Sequence, residues 1–243
     1  MNYAEYPAGP MLAPFVKKLW ALDNLASAEA SGEMSVLPNG CSTLVFIEGG
    51  AVKATTRLER QTLFPGSYFV GQLTEAIRID FSARTRAVMV QLFPWAPAYF
   101  SRAGMGPFTD RIIAANIPVV VLAEQAVKLA VFRAFRDCLE AGSRQELLRS
   151  ACSALQQPGR EDGIAVLSRE LGCSPRYLQQ LFRQHVGLSP KQFANIIRLR
   201  GAVDDMDYSR FYDQAHFIRA FRGVTGVSPS KFDASQYFLA YRE

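Results

Sequence analysis

The sequence predicts an α+β protein, with a β-rich, sandwich- or barrel-like N-terminal part and an all-α C-terminal part. Three observations predict it. Between about Val36 and Phe93, short runs rich in β-branched and aromatic residues alternate with turns made of Gly, Pro and Asn. From residue 122 onward, apolar residues recur at helical spacing. Finally, residues 173–193 (CSPRYLQQLFRQHVGLSPKQF) return at 212–232 as YDQAHFIRAFRGVTGVSPSKF. Phe182, Arg183, Gly187, Ser189, Pro190 and Phe193 recur as Phe221, Arg222, Gly226, Ser228, Pro229 and Phe232, each 39 positions later. One offset held across apolar, charged and turn residues marks a duplicated structural unit.

Strands are expected at 42–47, 67–70, 76–81 and 87–93. Ile77, Ile79 and Phe81 alternate with Arg78 and Asp80, the pattern of a half-buried strand. Pro38-Asn39-Gly40, Gly49-Gly50 and Pro65-Gly66 supply the turns between them. A short helix at 95–103 is broken by Gly104-Met105-Gly106-Pro107. Helices follow at 122–141, with Val127, Val131, Phe135, Cys138 and Leu139 on one face, and at 145–156. This pair is expected to form either a dimer contact or hinge, or padding for the first domain. Gln157-Pro158-Gly159 reads as a linker, so the domains are 1–157 (β-rich 1–94, helical 95–157) and 158–243.

In the second domain, Ile164, Leu167 and Leu171 form an apolar stripe that Gly172 ends. Ser174 is placed to cap the next helix and Pro175 to occupy its first turn, where a missing N–H costs nothing. Gly187 stops that helix, and Ser189-Pro190 opens a long one to about Met206, about 25 Å in length.

Composition narrows the function. Hydrophobic residues make up 49% of the 243-residue chain and charged residues 20%, which is ordinary for a globular protein. The net charge of +5 and pI of about 9.1 favour an anionic partner. From Gly163 to Arg200, Arg169, Arg176, Arg183, Lys191, Arg198 and Arg200 face the single acid Glu170, so this stretch carries as much net charge as the whole chain. The start MNYAEYPAGP lacks the pattern of a secretory leader, and the longest apolar run, 117–123, is too short to cross a bilayer. A cytoplasmic protein is expected. Cys41, Cys138, Cys152 and Cys173 are scattered, with no CxxC and no ligand-spaced His, which argues for reduced thiols and no metal site. The only histidines, His185 and His216, lie in the repeats, so no catalytic residue and no cofactor is expected.

If Leu178, Leu181 and Phe182 point inward, helical geometry turns Arg176, Tyr177, Gln179, Gln180 and Arg183 outward. Arg can grip guanine O6/N7 and Gln can grip adenine N6/N7. Arg176, Gln179 and Gln180, in the first two turns, are therefore expected at base edges. Ser174, Tyr177 and Arg183 are expected at the backbone. In the second copy, Gln214, His216 and Arg219 are expected to make contacts, with packing or capping as the alternative for His216.

The paired runs, above all YDQAHF…F…G.SP..F, resemble the AraC/XylS family of bacterial transcription regulators over residues 162–233. The resemblance implies two helix-turn-helix subdomains joined by a long helix, here 190–206, with the second reader starting near Asp213. It implies promoter DNA as the partner, read in successive major grooves about 34 Å apart. A small-molecule effector, a homodimer and RNA polymerase are further partners it implies. More weakly, Trp20, VLPNGCSTLVF and GQLT…VMVQLFPW resemble a sensor half found in the family, giving a sensor or regulatory domain over 1–157. Trp20, Phe46, Phe64, Tyr68, Phe69, Phe93 and Trp95 would line an apolar effector pocket, or else simply form core.

One departure from the family concerns residues 202–211, AVDDMDYSRF, where about ten residues, about one mean helix length, are missing behind the second reader. By the repeat, Val203, Met206 and Arg210 stand where Ile164, Leu167 and Leu171 do, yet they must also end the long helix. This favours, as an alternative, a degenerate regulator that acts through protein contacts. Two enzyme readings fare worse. A DNA-repair alkyltransferase needs an activated thiolate, and Cys41 has no basic or cysteine neighbour in sequence. A metal-dependent β-barrel enzyme needs His ligands, and residues 1–150 contain none.

Overall fold

The computed structural model describes residues 2–97, 104–119, 121–136, 143–157, 163–205 and 214–232. Among these residues, ten strands precede six α-helices. The strands are β1 (Asn2–Tyr6), β2 (Val16–Asp23), β3 (Glu33–Val36), β4 (Ser42–Gly49), β5 (Val52–Thr55), β6 (Arg60–Leu63), β7 (Gly66–Val70), β8 (Ile77–Phe81), β9 (Thr85–Leu92) and β10 (Ile112–Ala114). The helices are α1 (Glu124–Arg136), α2 (Ser143–Gln156), α3 (Ile164–Glu170), α4 (Pro175–His185), α5 (Pro190–Asp205) and α6 (Gln214–Thr225).

The strands build two antiparallel sheets, ordered β1-β2-β9-β4-β7-β10 and β3-β8-β5-β6. Alternation along β9 decides where the cores sit. Ala87 and Met89 point between the sheets, joining Trp20, Leu22, Ile47 and Val70 against Val36, Val52, Ala54, Ile77 and Phe81. Val88, Val90 and Leu92 point the other way, onto Leu44, Phe46 and Phe69. Because both faces of β9 are buried, that strand reads as a continuous apolar run. The outer face is covered by α1 through Val127, Val131 and Phe135.

The same alternation overturns the single aromatic pocket. Trp20 lies between the sheets, while Phe46 and Phe69 lie on the outer face. Phe93 and Trp95 stack on one another beyond the end of β9, with centroids 4.6 Å apart, and Phe64 is 65% exposed. Neighbouring residues on a strand cannot share a face, so these seven rings do not converge.

The helices between the halves divide their allegiance. Whereas α1 packs on the sandwich, α2 buries Leu148, Ala151, Cys152 and Leu155 against the helices that follow. Residues 98–103, Cys138, Leu139, Pro158, Gly159 and 206–213, which carry parts of several sequence expectations, lie outside the described residues.

The end of α5 corrects a second expectation. Leu199 and Val203, four residues apart and so on one face, bury themselves against Phe217 and Phe221 of α6. Val203 thus lies in the long helix and also packs behind α6, whereas Met206 and Arg210 lie outside the described residues.

Candidate nucleic-acid interface

Helix α4 starts as its sequence dictates. Ser174 sits in extended backbone at the N-cap, and its Oγ accepts a hydrogen bond from the Tyr177 N–H at 3.2 Å, with Pro175 at the first helical position. Leu178, Leu181 and Phe182 are buried. Phe182 meets Phe193 of α5 edge to face, with centroids 5.8 Å apart. Ser174, Arg176, Tyr177, Gln179, Gln180 and Arg183 are all exposed. The Ser174 hydroxyl accepts one bond in capping, which leaves its O–H free to donate.

The helix ends at a glycine. The Gly187 N–H returns to the Phe182 carbonyl at 3.0 Å, and Gly187 has φ +92°. Its repeat counterpart Gly226 has φ +79° and closes α6 by donating to the Arg222 carbonyl at 2.9 Å. The turn at Gly187 is gripped by the sandwich half. Met105 N–H donates to the Gln184 carbonyl at 2.7 Å and the Thr109 hydroxyl to the Gly187 carbonyl at 2.8 Å. A Cβ on Gly187 would lie 2.8 Å from Thr109 Oγ1 and 3.0 Å from the Met105 carbonyl oxygen. These contacts hold the end of α4, and among the described residues its polar face is exposed. An open groove of about 750 Å³ runs between Gly104, Gly106 and Pro107 on one side and Arg176, Gln179, Gln180 and Arg183 on the other.

On α6, Phe217 and Phe221 point inward and Gln214, Arg219 and Arg222 are exposed. A second open groove, of about 550 Å³, is lined by Ile218, Arg219 and Arg222. The backbone of His216 lies in α6; its side chain is outside the described residues. Asp213 is outside them too, and the helix is described from Gln214.

The electrostatics favour an anion. Among the described residues, Arg176, Arg183, Lys191, Arg219 and Arg222 make no ion pair. Lys191 and Arg222 are exposed cations that the expected contact set omitted. Arg222 could have been found from the repeat, since it is the counterpart of Arg183. Ser189 and Gln192 form a reciprocal cap, with Ser189 N–H donating to Gln192 Oε1 at 3.0 Å and Gln192 N–H to Ser189 Oγ at 3.2 Å, fixing the start of α5 beside Lys191. His185, half-buried at the end of α4, has its pKa lowered by burial and, secondarily, by Arg144.

The described cysteines offer no nucleophile. Burial pushes the Cys41 thiol up to about 12 against a lowering by Lys17, and it raises Cys152 well above the usual thiol range. Burial also raises Cys173. No cluster of metal-ligating side chains occurs among the described residues, and no described helix is long and apolar enough to cross a membrane.

Comparison with known proteins gives two family matches. Residues 167–235 match a helix-turn-helix domain family, and residues 4–114 match a domain of unknown function. An uncharacterized HTH-type transcriptional regulator of Haemophilus influenzae is 23% identical over 191 residues, covering 71% of this chain. The match takes in 62% of that relative's own length, so the chain spans less than two thirds of it. Among solved structures, ToxT from Vibrio cholerae is 9% identical, with 95% of this chain and 97% of that one covered and a TM-score of 0.47. Unsaturated fatty acid-bound wild-type ToxT is 13% identical, with coverages of 88% and 92% and a TM-score of 0.46. The AraC-like transcriptional activator CuxR is 12% identical, with coverages of 86% and 75% and a TM-score of 0.29.

Proposed function

We propose that this chain, whose residues 167–235 match a helix-turn-helix domain family, is a transcription regulator of the AraC type that reads promoter DNA with α4 and α6 under the control of its β-sandwich. In this reading Arg176, Gln179 and Gln180 contact base edges, because they occupy the exposed first turns of α4. Ser174, Tyr177, Arg183, Lys191 and Arg222 contact phosphates. Gln214, His216 and Arg219 form the reading set of α6. The observation that carries the proposal is the state of the α4 surface: a capped helix whose polar face is exposed, unpaired in charge and open to approach while its far end is clamped.

The sandwich would take a small apolar effector between its sheets. Support comes from an apolar cavity of about 90 Å³ lined by Trp20, Val36, Leu37, Phe81, Met89 and Ile112. That volume admits only a molecule of a few heavy atoms unless the sheets part, since sites for drug-sized ligands are about 300–1,000 Å³.

The test is selection of bound duplexes from a randomised library by the full chain, followed by gel-shift titration of the recovered sequence at two salt concentrations. If α4 and α6 together neutralise six or more phosphates, affinity should fall about a thousandfold or more between 50 and 200 mM salt. Failure to enrich any sequence, or binding indifferent to salt, would overturn this reading in favour of a regulator working through protein contacts.

A further inference from the structure

We infer that the β-sandwich is an integral part of the second reading subdomain, with Leu37 the positioning residue that seats α6. The two readers differ in what backs them. Behind α4, the buried residues come mainly from helices of the same half: Leu148, Cys152 and Leu155 of α2, Leu167 of α3, Phe193 and Ile196 of α5. Behind α6, the buried residues among those described are Leu199 and Val203 of α5 and Leu37 of the sandwich. Leu37 directly follows β3, at the rim of its sheet, where a leucine would ordinarily meet solvent, yet it is 3% exposed.

The segment that carries Leu37 is braced from its own side. Asn39 Oδ1 accepts from the Cys41 N–H at 2.9 Å, and the Gln72 side-chain amide donates to the Gly40 carbonyl at 2.9 Å. Gly40, at φ +73°, approaches α5 so closely that a Cβ would stand 2.7 Å from Phe193 Cε2 and 2.9 Å from Ile197 Cδ1. Just before β8, Ala76 donates its N–H to the Val224 carbonyl at 2.7 Å. Val224 lies in the last turn of α6, where carbonyls have no partner within the helix. The sandwich half therefore packs in the core behind α6 and also caps its last turn, through the Ala76 N–H just ahead of β8.

The inter-sheet cavity shares this wall. Val36, Leu37, Pro38, Asn39 and Cys41 all line it, whereas Met105 and Thr109, which grip the end of α4, do not. The cavity and the core behind α6 thus have Leu37 in common.

The inference does not depend on DNA binding, and its test uses none. Amide hydrogen exchange is measured on the full chain for peptides spanning α4 and α6, in the wild type and in Leu37→Ala, Leu37→Met and Ala76→Pro. In Leu37→Ala, α6 should exchange at least about tenfold faster with α4 unchanged, and Leu37→Met should restore slow exchange. Ala76→Pro, which removes the N–H given to Val224, should loosen the last turn of α6 alone and serves if Leu37→Ala does not fold. Unchanged exchange in α6, or an equal rise in α4 and α6, would overturn the inference, since Leu37 would then merely stabilise the sandwich.

Discussion

Arg176 and Arg183 lie on the same exposed face of α4 but two turns apart, and that separation assigns them different work. In the proposed reading, Arg176, in the first turn, meets a base edge, and Arg183, in the last, a phosphate. Arg176→Ala should cost about 1–3 kcal/mol and relax preference at one base pair, while Arg183→Ala should weaken every duplex evenly and lower the salt slope by about one unit. Gel shifts against the selected duplex and its single-base variants separate the two outcomes. His185 makes a prediction about pH. Its folded pKa lies below the usual 6.5, so the unfolded chain takes up a proton first. The stabilisation from neutral His185 is complete above pH 6.5 and is lost as pH falls below that value. The melting temperature of wild type should therefore drop more steeply below pH 6.5 than that of His185→Gln, as pH-dependent thermal unfolding would reveal.

Elements that depend on their own residues were legible in the sequence. The cap at Ser174, the proline after it, the inward trio Leu178, Leu181 and Phe182, and the stop at Gly187 all stand as the sequence implied. Each involves residues within one or two turns of one another. The strands expected at 42–47, 67–70, 76–81 and 87–93 stand within a few residues as β4, β7, β8 and β9, whereas β1, β2, β3, β10, β5 and β6 were not legible, the last two being four residues each and rich in Lys, Thr, Arg and Gln. Pairing of β5 with both β6 and β8 gives them a conformation that their side chains do not dictate. Two glycines give a prediction at this scale. Gly172, at φ +65°, faces open space, while Gly187 presses on Met105 and Thr109. Gly172→Ala should cost about 1–2 kcal/mol from backbone strain alone. Gly187→Ala should cost more and also release the sandwich from α4, which chemical denaturation combined with limited proteolysis would report. Phe182→Ala, which empties the middle of the second half's core, should cost about 3–5 kcal/mol by the same unfolding measurement.

At the scale of the molecule, the sandwich and the helices are joined at two places that mirror the repeat. Met105, Thr109 and Trp95 meet the first subdomain; Leu37, Gly40 and Ala76 meet the long helix and the second. Helices α4 and α6 are thus both held against the sandwich half as well as against α5. The sequence alone determined the polar face of α4, where that helix begins and stops, and the glycine that closes α6, because periodicity, caps and turn glycines act over a few residues. Only the tertiary structure decided which core claims α1 and which claims α2, that seven aromatic residues scatter over separate surfaces, and that Leu37 backs a helix whose first residue lies 177 positions further along the chain. Those outcomes depend on burying apolar surface between segments remote in sequence. No local pattern encodes which remote surface will be met.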